Sequence, residues 1–194
     1  MTARVWALEA SWGREVTYAT SVKPILDILA TGNPDKARGL RYFHSRVSTS
    51  EEMQHLLSRW ALKKHARYSI LYLAMHGSPG QVGIGSEVMN LEDLAYPIEG
   101  KCAGRVIVFG TCSTVAIHAR HLKRFLSVTG ASAVMGYKTD VAWIPSTAFE
   151  LMLLDALSEN EFVGPGLVAA VRKARRLARW FGKELQFRIV SRLE

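Results

Sequence analysis

The sequence of 194 residues contains only two cysteines, Cys102 and Cys112. Secreted domains that depend on disulfides carry more, so a disulfide framework is excluded and both residues are expected to be reduced thiols. Long apolar runs are also missing: none approaches the roughly 18 to 20 residues of a membrane-spanning helix, and the N-terminus lacks a signal-peptide pattern. These absences predict a cytoplasmic protein with no membrane segment.

Metal-ligand spacings are absent too. No pair of residues has the CxxC or HxxxH pattern, and His118 with His121 lacks obvious further ligands, so neither a metal nor a cofactor is expected. We also find no repeat, no low-complexity tract and no internal linker. With a hydrophobic fraction of 48%, the composition is that of a globular chain, and residues 1–194 are predicted to form a single domain.

What the sequence does have is positive charge, with a formal net charge of +8. Lys and Arg concentrate in residues 63–67, 120–124 and 172–192. Such runs either cover solvated helix faces or attract nucleic acid or acidic partners. Because residues 172–181 of the last run lie on a predicted helix with an apolar stripe, a solvated covering helix is the simpler interpretation.

Apolar runs and helical periodicity alternate along the chain. Strands are predicted at residues 5–10, 41–47, 69–75, 106–109 and 131–137, with a last one at 185–190. Helices are predicted from Ser21 to Gly32 and at residues 48–64, 91–96, 115–125, 146–158 and 166–181, with a loop or small hairpin at 78–90. This alternation predicts an α/β three-layer sandwich with a mainly parallel central sheet in flavodoxin-like order.

Two reactive side chains follow the two most apolar strands. His76 comes directly after residues 69–75, and Cys112 follows residues 106–109. Functional groups collect beyond the carboxyl ends of parallel strands, so a nucleophile and its base are expected to meet there. A helix beginning near Ser113 would favour the Cys112 thiolate through its N-terminal partial charge. The backbone N–H groups of Gly77 and Cys112 are the candidate oxyanion donors.

Three sequence blocks in this order resemble a known family. They are Leu71 to Gly77, Val106 to Thr114 and Gly130 to Tyr137, and the similarity spans roughly residues 69–158. The chain resembles the caspase-like cysteine peptidases, and among them the bacterial CHAT domains related to separase. The resemblance implies a caspase-like fold and a cysteine endopeptidase with a His76–Cys112 dyad. It also implies an effector protease of prokaryotic signalling or defence, activated by a separate regulatory protein or ligand.

The same resemblance suggests where a substrate would bind. Asp140 follows the fifth strand, where caspase-like enzymes place a residue of the first specificity pocket, and Gly110 and Trp143 are expected to line the same region. A carboxylate there predicts cleavage after Arg or Lys. Glu9 and Arg14 are the next candidates for the pocket. Gly110-Thr111 before the cysteine differs from the dipeptides of the animal, legumain and metacaspase branches, so their specificities are not transferred.

Other interpretations of these residues remain open. Cys112 is also compatible with a buried structural thiol, the role we assign to Cys102. Asp140 is equally a turn former, and Trp143 equally a packing residue. For the whole chain, the alternatives to an enzyme acting on a protein or peptide are a catalytically idle scaffold that binds a protein partner and a basic α/β domain that binds nucleic acid.

Overall fold

The structure, a computed structural model, describes residues 3–13, 20–31 and 39–193. The strands are β1 (Val5–Glu9), β2 (Tyr42–Arg46), β3 (Ile70–Ala74), β4 (Gly77–Ser78), β5 (Gln81–Ile84), β6 (Glu87–Asn90), β7 (Val106–Gly110), β8 (Ala133–Tyr137) and β9 (Phe187–Ser191). The α-helices are α1 (Lys23–Thr31), α2 (Ser50–Trp60), α3 (Leu91–Ala95), α4 (Ala119–Thr129), α5 (Trp143–Ser158) and α6 (Gly164–Phe181). Short 3-10 helices lie at Lys63–His65, Tyr96–Ile98 and Lys183–Leu185.

The central sheet has six strands in the order β2-β1-β3-β7-β8-β9. The first five are parallel, and β9 pairs antiparallel with β8 at the edge. Strands β1, β3, β7 and β8 are buried along their whole length, as strands covered by helices on both faces must be. The predicted mainly parallel sheet and its flavodoxin-like order are confirmed.

Two apolar clusters fill the space between the sheet and its helices. One cluster packs α2, α3, α4 and the β4-β5-β6 sheet against one face. The other packs α1, α5 and α6 against the opposite face. Because successive residues of a strand point to opposite faces, Leu71 and Leu73 enter the first cluster and Ile70 and Tyr72 enter the second. The result is the three-layer sandwich that the sequence predicts.

The segment predicted as a loop or small hairpin is a three-stranded antiparallel sheet in the order β4-β5-β6. Val82, Ile84 and Met89 bury their side chains in the first core cluster. This small sheet begins immediately after His76, so it forms one side of the carboxyl edge of the central sheet.

The prediction of a helix beginning near Ser113, or at residue 115, is wrong: α4 begins at Ala119. Ser113 adopts a left-handed backbone with φ of 55°, which a right-handed helix does not allow. The carbonyl groups of Val115 and Ile117 accept hydrogen bonds from Arg188, and Thr114 O accepts one from the Gly80 N–H. The thiol of Cys112 therefore does not lie at a helix N-terminus.

Helix α2 ends at Trp60, four residues before the predicted end at Lys64. The guanidinium group of buried Arg105 donates to the carbonyls of Trp60, Ala61 and Leu62. It thereby satisfies carbonyl groups that the end of a helix leaves without intrahelical partners.

Within residues 3–13, 20–31 and 39–193, no helix is long and apolar enough to cross a membrane. The His, Cys, Asp and Glu side chains of the same ranges include no group of three or more that would hold a metal ion.

Candidate active site

Strands β3 and β7 bring His76 and Cys112 to the same place. They are neighbours in the sheet, and their last paired residues are Ala74 and Gly110. His76 and Cys112 each follow two residues later, so both lie beyond the carboxyl ends of adjacent strands. The two backbone segments are also in close contact there, because a Cβ atom built on Gly77 would lie only 2.4 Å from the carbonyl oxygen of Cys112. Glycine at position 77 is therefore a requirement of this close approach.

The imidazole of His76 is held by a backbone carbonyl. Its Nε2 lies 2.9 Å from the carbonyl oxygen of Trp12, and because a carbonyl only accepts, Nε2 must be the nitrogen that carries the proton. In the neutral ring Nδ1 is then the basic nitrogen. The Trp12 ring also packs edge-on against the imidazole, with 5.6 Å between the centroids. His76 is thus fixed in one tautomer while its side chain stays exposed.

Trp12 is itself positioned by a buried carboxylate, Glu9, at the end of β1. Its Nε1 donates to Glu9 Oε1 at 2.8 Å. The same carboxylate accepts hydrogen bonds from Ser21 Oγ and the Val22 N–H and pairs with His44 Nε2. Burial raises the pKa of Glu9, but these donors, His44 foremost, outweigh burial and leave the pKa lowered. Glu9 is a charged anchor that holds the residue orienting His76.

Cys112 is half-buried and is followed by a strained turn. Ser113 lies in the left-handed region with φ of 55°, a conformation that costs a non-glycine residue about 1 to 3 kcal/mol. Its N–H donates to Thr139 O at 3.1 Å and its Oγ to Asp140 Oδ1 at 2.8 Å. The turn after Cys112 is therefore tied to the loop that follows β8.

These bonds decide where the predicted pocket residue Asp140 lies. Its side chain is exposed and close to the turn that carries Cys112. Of the alternative pocket residues, Glu9 is fully buried and already engaged, and Arg14 lies outside the described residues. Asp140 thus combines an exposed carboxylate with contact to the Cys112 turn.

Gly110 and Trp143 occupy different parts of this region. Gly110 is buried, and a Cβ atom there would lie 2.6 Å from Tyr72 Cε2 and 3.2 Å from Glu150 Oε1, so packing alone accounts for glycine. Trp143 is the first residue of α5, and its ring packs edge-on against Trp12 at 5.0 Å. Trp143, Trp12 and His76 therefore form a continuous aromatic wall beside the site.

A buried cluster that the sequence gave no reason to expect lies below Gly110. Glu150 is buried on α5 and accepts hydrogen bonds from Tyr72 and from Tyr137, the latter at 2.9 Å. Burial raises the pKa of Glu150 to about 7, although both tyrosines oppose the rise. Burial also raises the pKa of Tyr137, and the charge of Glu150 and its hydrogen bond to Tyr137 add to that shift. Only tertiary packing brings these residues together, so no spacing in the sequence reveals them.

Cys102 lies elsewhere, before β7. It is fully buried, its Sγ lies 3.6 Å from Ile98 O, and burial raises its pKa to about 12. These surroundings are those of a structural thiol.

Comparison with known proteins bears on family and fold. The model of DUF6642, a family of unknown function, matches residues 2–190. The chain belongs to this family. No curated protein matches the sequence. Among solved structures, the chain is similar to caspase-1 from Spodoptera frugiperda, with 11% sequence identity, a TM-score of 0.59, and coverage of 98% of this chain and 88% of that chain.

This structural similarity, together with the mainly parallel sheet between two helical layers, establishes a caspase-like fold for this member of the family. At 11% identity the likeness concerns the fold. The CHAT assignment, the activity and the site residues stay predictions.

Proposed function

We propose that the chain is a cysteine endopeptidase of caspase-like type, with Cys112 as nucleophile and His76 as general base. The observation that carries the proposal is the fixed imidazole: the Nε2 proton is committed to Trp12 O, and the backbone next to His76 contacts the Cys112 carbonyl. A base oriented by a third group next to a nucleophile is the arrangement that activates a thiol.

In the proposed reaction the substrate binds as an extended peptide across the carboxyl edge of the sheet. His76 Nδ1 accepts the thiol proton as Cys112 Sγ forms a bond to the scissile carbonyl carbon. The N–H groups of Gly77 and Cys112 donate to the oxyanion. His76 then returns the proton to the leaving amine as the peptide bond breaks, and water hydrolyses the resulting thioester, with His76 again accepting and returning a proton.

The local backbone supports the oxyanion role of Cys112. Its neighbours have defined partners, since Ser113 N–H donates to Thr139 O. Within the described part of the chain, no backbone carbonyl accepts the N–H of Cys112. A donor held in a rigid turn without an internal acceptor suits a charge that develops only during reaction.

A library of fluorogenic tetrapeptides tests the activity. We expect slow hydrolysis by the wild-type chain and by the matched variant Cys102→Ala, and no hydrolysis by Cys112→Ala. Equal turnover by Cys112→Ala and wild type would refute the proposal. If no peptide is cleaved at any concentration or incubation time, while Cys112 remains accessible, the alternative of a catalytically idle scaffold replaces it.

We also propose Asp140 as the residue that selects Arg or Lys at the first position. Its carboxylate is exposed and lies one hydrogen bond from the residue after Cys112, and a contact charge is screened less by salt than the overall positive field. In the library, Asp140→Asn should lower kcat/KM for Arg substrates about 10-fold or more, without changing alkylation of Cys112. Cleavage after Asp, or an unchanged Arg preference in Asp140→Asn, would remove Asp140 from the pocket.

Regulation by a separate partner or ligand, in prokaryotic signalling or defence, completes the proposal. Hydrogen bonds connect the loops around Cys112: the Gly80 N–H donates to Thr114 O, and Ser113 Oγ donates to the Asp140 carboxylate. A ligand that shifts residues 78–90 or 138–146 would therefore move the turn that carries the thiol. High constitutive turnover of short peptides by the purified chain would contradict this part of the proposal.

A further inference from the structure

A groove of about 1100 Å³ follows the outer edge of strand β9. Residues 186–189 form its floor. Residues 117–119, at the start of α4, form the wall on one face of the sheet, and residues of the C-terminal half of α6 form the wall on the other. The groove is therefore open along a strand rather than into the centre of the sheet.

The lining of this groove is basic. Its charged or titratable side chains are Lys138, His118, Arg175, Arg179, Lys183 and Arg188. Within the described part of the chain, no acidic residue lines it. Lys and Arg side chains thus approach the strand edge from the α6 wall, from Lys138 and from Arg188 on the floor, whereas the opposite wall contributes only His118. The groove presents a field that favours a negatively charged occupant.

The backbone of β9 offers hydrogen bonds to that occupant. Lys138 N donates to Gln186 O, and Arg192 N donates to Ser132 O. In an antiparallel pair, hydrogen-bonded residues alternate with residues whose N–H and C=O groups point away. Residues 186, 188, 190 and 192 therefore face β8, whereas Phe187 and Ile189 direct their N–H and C=O groups outward. The outer edge has no neighbouring strand among the described residues.

We propose that this groove binds an extended acidic segment of a different protein, which pairs with β9 as an added strand. The strand edge supplies main-chain hydrogen bonds, and Lys138, Arg179 and Lys183 supply partners for Asp or Glu side chains. This combination is the chemistry of strand addition with charge selection.

Charge argues against a second copy of this chain as the occupant. Antiparallel pairing of two β9 edges would bring two basic grooves together, and like charges next to each other oppose association. A nucleic acid would satisfy the positive side chains, but its backbone offers no pattern that matches the N–H and C=O groups of a strand. The open edge therefore favours a peptide.

The groove is also linked to the turn after Cys112. Arg188 donates to the carbonyls of Val115 and Ile117 at 3.0 and 2.6 Å. Lys138, bonded through its N–H to Gln186, precedes the Thr139 carbonyl that holds Ser113. A bound strand thus contacts both segments that position the nucleophile's turn, but its binding does not depend on hydrolysis.

Fluorescence anisotropy with the whole chain tests the proposal. The probe is a labelled nonapeptide of alternating Glu and Val. The controls are the same peptide with Pro in place of each Val, which keeps the charge but removes N–H donors, and a Lys–Val peptide. We expect binding of the Glu–Val peptide that weakens with added salt, and binding at least about 10-fold weaker for both controls.

Paired variants locate the site. Lys138→Glu with Arg179→Glu should weaken binding at least about 10-fold. Lys64→Glu with Arg172→Glu, which changes the net charge equally at exposed positions outside the groove, should change it less than about twofold. Equal losses in both pairs, equal binding of the Pro peptide, or no binding at millimolar peptide would overturn the proposal. So would a homodimer that excludes the peptide, or duplex or single-stranded nucleic acid that displaces it at lower concentration.

Discussion

The two ends of strand β7 each have a cysteine, and the two thiols lie in opposite surroundings. Cys102, before the strand, is fully buried with Sγ 3.6 Å from Ile98 O. Cys112, after the strand, is half-buried, and its backbone contacts Gly77, next to His76. Because burial raises the pKa of Cys102 to about 12, this thiol stays protonated at neutral pH.

The cationic or basic residues near the two thiols differ in the same way. Arg105 is buried, donates to the carbonyls of Trp60, Ala61 and Leu62, and lies 4.8 Å from the centre of the Trp60 ring. His76 is exposed and uses Nε2 for Trp12 O, and within the described residues no hydrogen bond engages Nδ1. At the amino end of β7, the hydrogen bonds of Arg105 hold the fold together. At the carboxyl end, the fold orients the His76 ring and leaves its Nδ1 available to act as a base.

The largest effect is expected at the carboxyl end. Cys112→Ala and His76→Ala should each lower kcat/KM by at least about 1000-fold, because nucleophile and base act as a unit. The double variant should be no worse than either single variant. The midpoint temperature of thermal unfolding, Tm, should change by less than about 2 °C in each variant, because both side chains are at least partly exposed. If the losses in kcat/KM of the two single variants add in the double variant, or if His76→Ala remains active, Cys112 and His76 do not act as a unit and the proposed difference between the two ends of β7 is wrong.

At the amino end the effect should fall on stability. Arg105→Met removes the donor shared by three backbone carbonyls, so we expect the free energy of unfolding to drop by about 3 to 4 kcal/mol. Urea titration measures the drop, and Arg67→Met, at an exposed position, is the control. Turnover per folded molecule should be unchanged. A loss of turnover in fully folded Arg105→Met would show that the two ends are not separable.

The positions of His76 and Cys112 at the carboxyl edge of the sheet could be predicted from the sequence. The alternation of buried strands and helices placed His76 and Cys112 after adjacent strands, and the sheet order confirms that placement. The sequence did not reveal the Trp12 carbonyl or the Glu9 anchor, because a backbone acceptor and a carboxylate with four donors are defined by tertiary contacts alone.

The segment after Cys112 was predicted wrongly for a related reason. The helix was predicted to begin at about Val115, but the carbonyls of Val115 and Ile117 accept hydrogen bonds from Arg188 on the edge strand β9. Local propensity was overridden by a contact more than seventy residues away in sequence.

The buried cluster of Glu150, Tyr72 and Tyr137 below Gly110 should make the free energy of unfolding depend on pH. The pKa of Glu150 is raised from 4.5 to about 7, so between these values the folded state binds more protons than the unfolded state. Stability should therefore fall by up to about 3 kcal/mol as the pH rises through this interval, and stay at the lower value above it. Urea midpoints at pH 5 and pH 8 measure the change.

Glu150→Gln should abolish this decline, whereas Glu99→Gln, at an exposed position, should retain it. An unchanged pH dependence in Glu150→Gln would mean that the carboxylate is not the group responsible. Glu150 would then not be a buried titrating group near the carboxyl end of β7, and the contrast between the two ends would not include it.

The smallest effect is expected for Cys102→Ala. Removing one sulfur from a packed site leaves a small cavity, so unfolding should become easier by about 1 kcal/mol. Peptide turnover should not change. Iodoacetamide should modify Cys112 in the native protein and reach Cys102 only after unfolding, which peptide mass spectrometry distinguishes; rapid native modification of Cys102 would contradict the structural role of its burial.

Covalent capture of the thiol tests the dyad most directly. The wild-type chain and His76→Ala are incubated with a peptidyl acyloxymethyl ketone ending in Arg, and the adduct is mapped by mass spectrometry. We predict one adduct in the wild type, on Cys112 Sγ, and none in His76→Ala at the same concentration, although iodoacetamide still reaches Cys112 in both. Equal capture in the two proteins, or capture at Cys102, would contradict the assignment of His76 and Cys112 as a catalytic pair.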